Sequence, residues 1–153
     1  RRSHGVFTDA ERREHAATSR KLEEACDFHG AAVEALLAAD PRRGALLAAL
    51  SGDEHLANIA VDEIVVALTS DEARRSAADL AARGFGRQAG AIFAAVGDAC
   101  RAARSLELAG RPADGARALE AALRLRPGDA ACRLELGRLL ARHSRITRNP
   151  GWG

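Results

Sequence analysis

Methionine and tyrosine are absent from this sequence, and tryptophan occurs once. Without a methionine, Arg1 is not an initiator residue, so we expect it to follow a processing site, a proteolytic cut or the boundary of a longer protein. Aromatic residues make up 3% of the chain, and the net charge is only +2. Since single-stranded nucleic acids are bound largely by stacked aromatics and basic grooves, nucleic acid is not favoured as a partner.

Long apolar runs are also missing. Residues 91–96 form one of the longest, far below the ~20 residues that cross a bilayer, and no basic start leads into an apolar secretory core. We therefore expect a soluble protein with no membrane span. The three cysteines, Cys26, Cys100 and Cys132, are odd in number and far apart in sequence, which argues against a disulfide framework and predicts a cytoplasmic location.

What the sequence contains is typical of a folded helical protein. Its 153 residues are enough to form the core of one domain. The chain is 47% apolar and 29% charged, a composition too apolar for a disordered protein. Of the 23 basic residues, 22 are arginine, and alanine is the commonest residue, a bias that indicates a GC-rich bacterial genome. No motif in the sequence fixes a particular activity.

Helical periodicity runs through almost every segment. Residues 8–11 and 51–54 both fit the capping box, in which a hydroxyl and a glutamate satisfy the first amides of a helix. Residues 9–39 read as one long helix or two, and residues 56–68 form the most apolar helix. Ser70 opens another helix that stops at residues 84–86. These patterns predict an all-α fold without a sheet, either a helical bundle or a short α-solenoid of helix-turn-helix units.

The predicted organisation is one helical domain over residues 1–153. It comprises an N-terminal helical part at residues 8–69, helical hairpins with a repeat-like pattern at residues 70–148, and a tail at residues 149–153. The tail cannot continue a helix, because it contains a proline and two glycines. Its Trp152 is expected either to cover the last repeat or to occupy a groove.

From about Val96 onward, an apolar pattern recurs after 34 residues. Ala102 is followed by Leu136 and Leu106 by Leu140, the unit closes at Pro127, and a Leu-Gly pair stands at residues 136–137. This stretch resembles a tetratricopeptide repeat (TPR) and the first helix of the next one. The resemblance covers the C-terminal third to half of the chain. Ala99 and Arg133 stand where the family has tryptophan, and Ala103 replaces its first glycine.

The resemblance implies a fold and a kind of function. It predicts that small residues at a helix crossing, Ala103, Gly115, Ala122 and Gly137, allow close packing, and that leucines such as Leu119, Leu125 and Leu136 face the core. It further implies a non-catalytic interaction module that binds a peptide or a partner protein along a helical surface, with self-association left open.

Charge is uneven along the chain and suggests where such a partner binds. Residues 101–148 hold eleven arginines and five carboxylates, whereas the preceding residues carry an acidic excess. Helical spacing places Arg138, Arg142 and Arg145 on one face, and the repeat pattern adds Arg101 and Arg104 from the preceding helix. Because guanidinium groups bind carboxylates in pairs of hydrogen bonds, these five arginines predict a site for an acidic peptide. A solvated basic surface is the alternative.

The rival interpretation is a helical enzyme or enzyme-associated domain, with a metal as one option. Cys26 and His29 have the spacing of ligands on a helix, Glu11 and His15 share a face, and His55 lies near acidic residues. A structural zinc site needs four ligands, and these pairs remain incomplete. We therefore expect no catalytic residue, no cofactor and no resident metal.

Overall fold

The computed structural model describes residues 7–143; Arg145 and the tail at residues 149–153 lie outside this range. The described residues form nine α-helices and no β-strand, so the all-α prediction is confirmed. By its internal contacts the chain divides into two compact units, unit 1 (Arg1–Thr69) and unit 2 (Ser70–Gly153). None of the described helices is long and apolar enough to cross a membrane.

The described residues of unit 1 form four helices that pack in sequence, each against the next. They are α1 (Asp9–Glu24), α2 (Phe28–Leu37), α3 (Pro41–Ser51) and α4 (Glu54–Ala67). Thr8 forms the predicted capping box with Glu11, and Asp27, Asp40 and Asp53 cap the three helices that follow. The 9–39 segment is therefore two helices.

The described residues of unit 2 form five helices, again packed against their neighbours in sequence, and the third and fifth of them also touch. They are α5 (Ser70–Ala82), α6 (Gly86–Ala95), α7 (Ala99–Leu108), α8 (Pro112–Leu125) and α9 (Ala130–Arg142). A buried cluster formed by Ala103, Ala116, Leu119 and Leu139 holds α7, α8 and α9 together. The predicted core position of Leu119 is confirmed, since its exposure is 0%.

Several local predictions prove wrong. Ser51 does not cap α4: it is the last residue of α3, its hydroxyl donates to the Ala48 carbonyl, and Asp53 is the cap. Leu125 does not face the core, because it is 84% exposed at the end of α8. A Cβ on Gly115 would lie 3.0 Å from the Ala103 carbonyl, which confirms a close crossing there, whereas a Cβ on Gly137 would meet no atom within 4 Å.

The helix pattern of unit 1 recurs in unit 2 after 58 residues. Phe28–Leu37 corresponds to Gly86–Ala95, and Glu54–Ala67 corresponds to Pro112–Leu125, with both ends of each helix shifted by this interval. The residues with positive φ follow the same shift, from Cys26, Ala39 and Gly52 to Gly84, Gly97 and Gly110. Left-handed residues follow the first three helices of each unit at the same places, so the two units share this local design.

Candidate functional site

Four of the five predicted binding arginines lie on α7 and α9, and the fifth, Arg145, lies outside the described residues. Asp98 caps α7 by accepting from the Arg101 amide, and Asp129 caps α9 by accepting from the Cys132 amide. These caps fix where each helix starts and therefore which side chains project outward. We call Arg101, Arg104, Leu108, Leu134, Arg138 and Arg142 the arginine face.

Glu135 of α9 joins the two helices of this face. Glu135 is only 8% exposed, and its carboxylate accepts a hydrogen bond from the Arg104 guanidinium at 3.0 Å. Arg138, one turn further along α9, lies 3.7 Å from the same oxygen. The hydrogen bond to Glu135 raises the pKa of Arg104, so the Arg104 guanidinium stays protonated at any physiological pH.

Glu107 of α7 makes the second link. Arg142 donates to both of its oxygens, at 2.7 and 2.9 Å, and His143 Nε2 lies 2.8 Å from one of them. The hydrogen bonds from Arg142, together with His143, hold the pKa of Glu107 below its ordinary value. The bidentate geometry fixes the orientation of Arg142 on the surface.

The face is consequently less basic than the sequence indicates. Its four described arginines stand beside three carboxylates, those of Asp98, Glu107 and Glu135, which leaves a balance of +1 with neutral histidine. Arg101 also lies over the Phe93 ring, 5.8 Å from its centre. The four guanidinium groups nevertheless remain about half exposed, so each retains donors that point to solvent.

Sequence reasoning missed the apolar part of this face. Leu108 is 88% exposed and Leu134 is 55% exposed. Leu108 follows Arg104 by four residues on α7, and Leu134 precedes Arg138 by four on α9, so each leucine shares a helix face with an arginine. That spacing is visible in the sequence, but the sequence alone does not show that no neighbouring helix among α5–α9 covers these two leucines. The face therefore combines cationic and apolar groups.

Two cysteines come together beneath this surface. The thiols of Cys100 and Cys132 are within hydrogen-bonding reach of each other, although 32 positions separate them in the sequence, and they form no disulfide. Burial, with the hydrogen bond to Asp129, raises the pKa of Cys132 to about 12, and burial also raises that of Cys100. Because the thiolate is the reactive form, neither thiol is a good nucleophile at neutral pH.

The residues considered for a metal are distributed over separate contacts. His15 Nδ1 lies 3.1 Å from Glu34 Oε1, and His29 Nε2 lies 3.2 Å from Asp53 Oδ2. Cys26 and His55 are exposed. Within residues 7–143, no three histidine, cysteine, aspartate or glutamate side chains form a group that could hold a metal ion.

Comparison with known proteins adds no relative. The sequence matches no protein family, no curated protein and no solved structure.

Proposed function

We propose that this chain is a non-catalytic protein-interaction module, similar to TPR domains at its C-terminal end, that binds a peptide or partner protein through the arginine face. The observation that carries the proposal is the pairing of exposed Leu108 and Leu134 with half-exposed arginines on two helices. Apolar side chains left in solvent beside ordered charges are typical of a surface that a partner covers.

The ion pairs of the face support this role because they organise it in advance. The Arg104–Glu135 and Arg142–Glu107 pairs connect α7 to α9, so the guanidinium groups need not be ordered when a partner arrives. A partner that carries carboxylates beside apolar side chains would use the remaining donors of Arg104 and Arg138 and cover the leucines. The proposal places the protein in the cytoplasm of a bacterium, as expected from its composition and its cysteine pattern.

Titration with a short fluorescein-labelled peptide of alternating glutamate and leucine tests this function by fluorescence anisotropy. The peptide should bind, and the double variant Arg104→Gln, Arg138→Gln should bind at least about tenfold more weakly. Rising salt should weaken binding to the native chain, because exposed charges are screened.

The matched control removes two arginines elsewhere in unit 2. Arg117 and Arg124 of α8 are exposed and form pairs with Asp114 and Glu120, so Arg117→Gln, Arg124→Gln changes the net charge equally. If both double variants lost binding equally, the loss would be due to the change in net charge and not to the arginine face. A peptide in which serine replaces leucine should bind more weakly; unchanged affinity would show that Leu108 and Leu134 are not covered.

A further inference from the structure

Unit 1 contains an apolar groove with a volume of about 560 Å³. The end of α2, the start of α3 and the outer side of α4 form its walls, and Phe7 and Arg12 around the start of α1 border it. The rest of the lining includes Leu36, Leu37, Pro41, Ile59, Glu63 and Val66. This volume is in the range of sites that enclose several large apolar groups.

The α4 wall of this groove is open to solvent. Ile59 is 41% exposed and Val66 is 82% exposed. Seven residues separate them, which is two helical turns, or about 10.5 Å along the axis. A second helix laid against α4 would present its own side chains at the same interval, which is the geometry of helix-in-groove recognition.

Unit 2 shows that the fold does not require apolar residues at these positions. After the shift of 58 residues, Ile59 corresponds to Arg117 and Val66 to Arg124, and both arginines pair with acidic residues of their own helix. The equivalent crevice there is lined by Ala94, Gly97, Ala99, Ala121 and Leu125, the counterparts of five groove positions, and has a volume of about 210 Å³. Exposed apolar side chains at these two helix positions are therefore specific to unit 1.

Charge identifies the kind of occupant. Asp62 and Glu63 are exposed next to the apolar positions of α4, and neither forms an ion pair with another residue of the described part of the chain. The counterpart of Asp62 in unit 2, Glu120, is instead paired with Arg124 at 3.3 Å. Arg12 of α1, the one basic residue among the described residues that line the groove, pairs with Asp9 at 3.2 Å, and α4 itself contains no lysine or arginine. The open side of α4 therefore combines apolar groups with two carboxylates that form no ion pair within residues 7–143.

We propose that the unit 1 groove docks a cationic amphipathic helix from a partner protein. The apolar side chains of that helix enter the groove beside Ile59 and Val66, and its lysines or arginines pair with Asp62 and Glu63. This site lies on residues of unit 1 alone, so it stands independently of the arginine face, which selects the opposite charge.

Isothermal titration calorimetry with a four-turn helical peptide of leucine and lysine, its leucines on one face, tests the proposal. The native chain should bind this peptide, and the double variant Ile59→Gln, Val66→Gln should bind at least about tenfold more weakly. Asp62→Asn with Glu63→Gln should weaken binding at low salt and remove most of its salt dependence. The single variant Val66→Gln, at the more exposed position, replaces the double variant if the latter loses its helical circular dichroism.

A matched control is Leu125→Gln, which removes an equally exposed apolar side chain from unit 2 and should leave the affinity unchanged. The proposal is overturned if the Ile59 and Val66 variant binds as well as the native chain, or if a leucine–glutamate helix binds equally tightly. Concentration-dependent self-association that Val66→Gln abolishes would identify a second copy as the occupant and would also overturn it. Competition between the leucine–lysine peptide and an apolar dye seated in the groove would support it.

Discussion

Leu119 and Leu136 show how burial at single positions sets their contribution to stability. Leu119 of α8 is fully buried, whereas Leu136 of α9 packs against the same cluster while remaining partly exposed. Leu119→Ala should therefore cost about 2–5 kcal/mol in unfolding free energy, and Leu136→Ala distinctly less. Urea denaturation followed by circular dichroism measures both.

Leu125→Ala is the control for this pair, because Leu125 is 84% exposed and its truncation should stay within about 0.5 kcal/mol. Equal losses at Leu119 and Leu125 would show that the assignment of the α8 faces is wrong.

The carboxylate of Glu107 should make a contribution to stability that depends on pH. Its pKa in the folded protein lies below the ordinary value of 4.5, so its contribution to stability is present above pH 4.5 and is lost as the pH falls through the folded pKa. Glu107→Gln should lower the unfolding free energy at pH 7, and the gap to the native chain should close in acid. Denaturant titrations at several pH values measure that gap.

The comparison for Glu107 is Glu120→Gln, which breaks a more exposed pair with Arg124 and should cost less than about 1 kcal/mol. If the difference in unfolding free energy between Glu107→Gln and the native chain persisted unchanged in acid, the assigned role of the Glu107 carboxylate would be contradicted.

Arginine and leucine positions also mark the limit of inference from sequence at this scale. The sequence places Arg138 and Arg142 on α9 by spacing alone. It does not place Glu107 against Arg142, or Glu135 against Arg104, because those pairs join residues more than thirty positions apart. Leu125 was misassigned for a related reason: it lies at the end of α8, where helical periodicity continues but no neighbouring helix covers it within unit 2.

At the scale of the helix, two glycines provide a matched pair. Gly115 of α8 lies against the Ala103 backbone, which cannot yield to a methyl group, whereas Gly137 of α9 has open space where a Cβ would be. Alanine generally favours a helix over glycine by roughly 1 kcal/mol. Gly137→Ala should therefore stabilise the protein, whereas Gly115→Ala should destabilise it through the clash. Thermal unfolding of the two variants checks the sign.

Stabilisation by both glycine substitutions would mean that α7 and α8 do not cross as closely as the structure has them. The reverse pattern, with loss at Gly137 alone, would place the close crossing on α9 instead.

Helix starts were predictable where a local cap determines them. The hydroxyl and glutamate of the Thr8 box lie within one turn, so the sequence contained the whole motif. At residues 51–54 two potential caps compete, and Asp53 prevails because Ser51 still belongs to α3, which Gly52 ends with a φ of +75°.

The recurrence after 58 residues is not apparent in the sequence, because it lies in helix boundaries and positive-φ turns while most side chains differ. Even the caps Asp27 and Asp53 correspond to Phe85 and Arg111, which make no side-chain cap.

At the scale of the whole molecule, the helix content itself is a prediction for solution. All described elements are helices, so the far-UV circular dichroism spectrum should be that of a nearly all-helical protein. A substantial strand contribution in the spectrum would contradict the fold.

The two compact units lead to the final prediction, which concerns how stability is distributed. Each unit has fully buried large side chains of its own, among them Ile64 in unit 1 and Leu119 in unit 2. Since local opening depends on the packing of the segment that opens, Leu119→Ala should accelerate amide hydrogen exchange chiefly in α7, α8 and α9. Ile64→Ala should accelerate it chiefly in α3 and α4.

Native-state hydrogen exchange read by mass spectrometry of peptic fragments distinguishes the two patterns, with each variant serving as the control for the other. Uniform acceleration over residues 7–143 in both variants would mean that the chain opens only as one cooperative unit. Reciprocal, segment-limited acceleration would mean that each unit opens on its own. In that case a partner bound at the unit 1 groove should slow exchange in α2, α3 and α4, and a partner bound at the arginine face should slow it in α7 and α9.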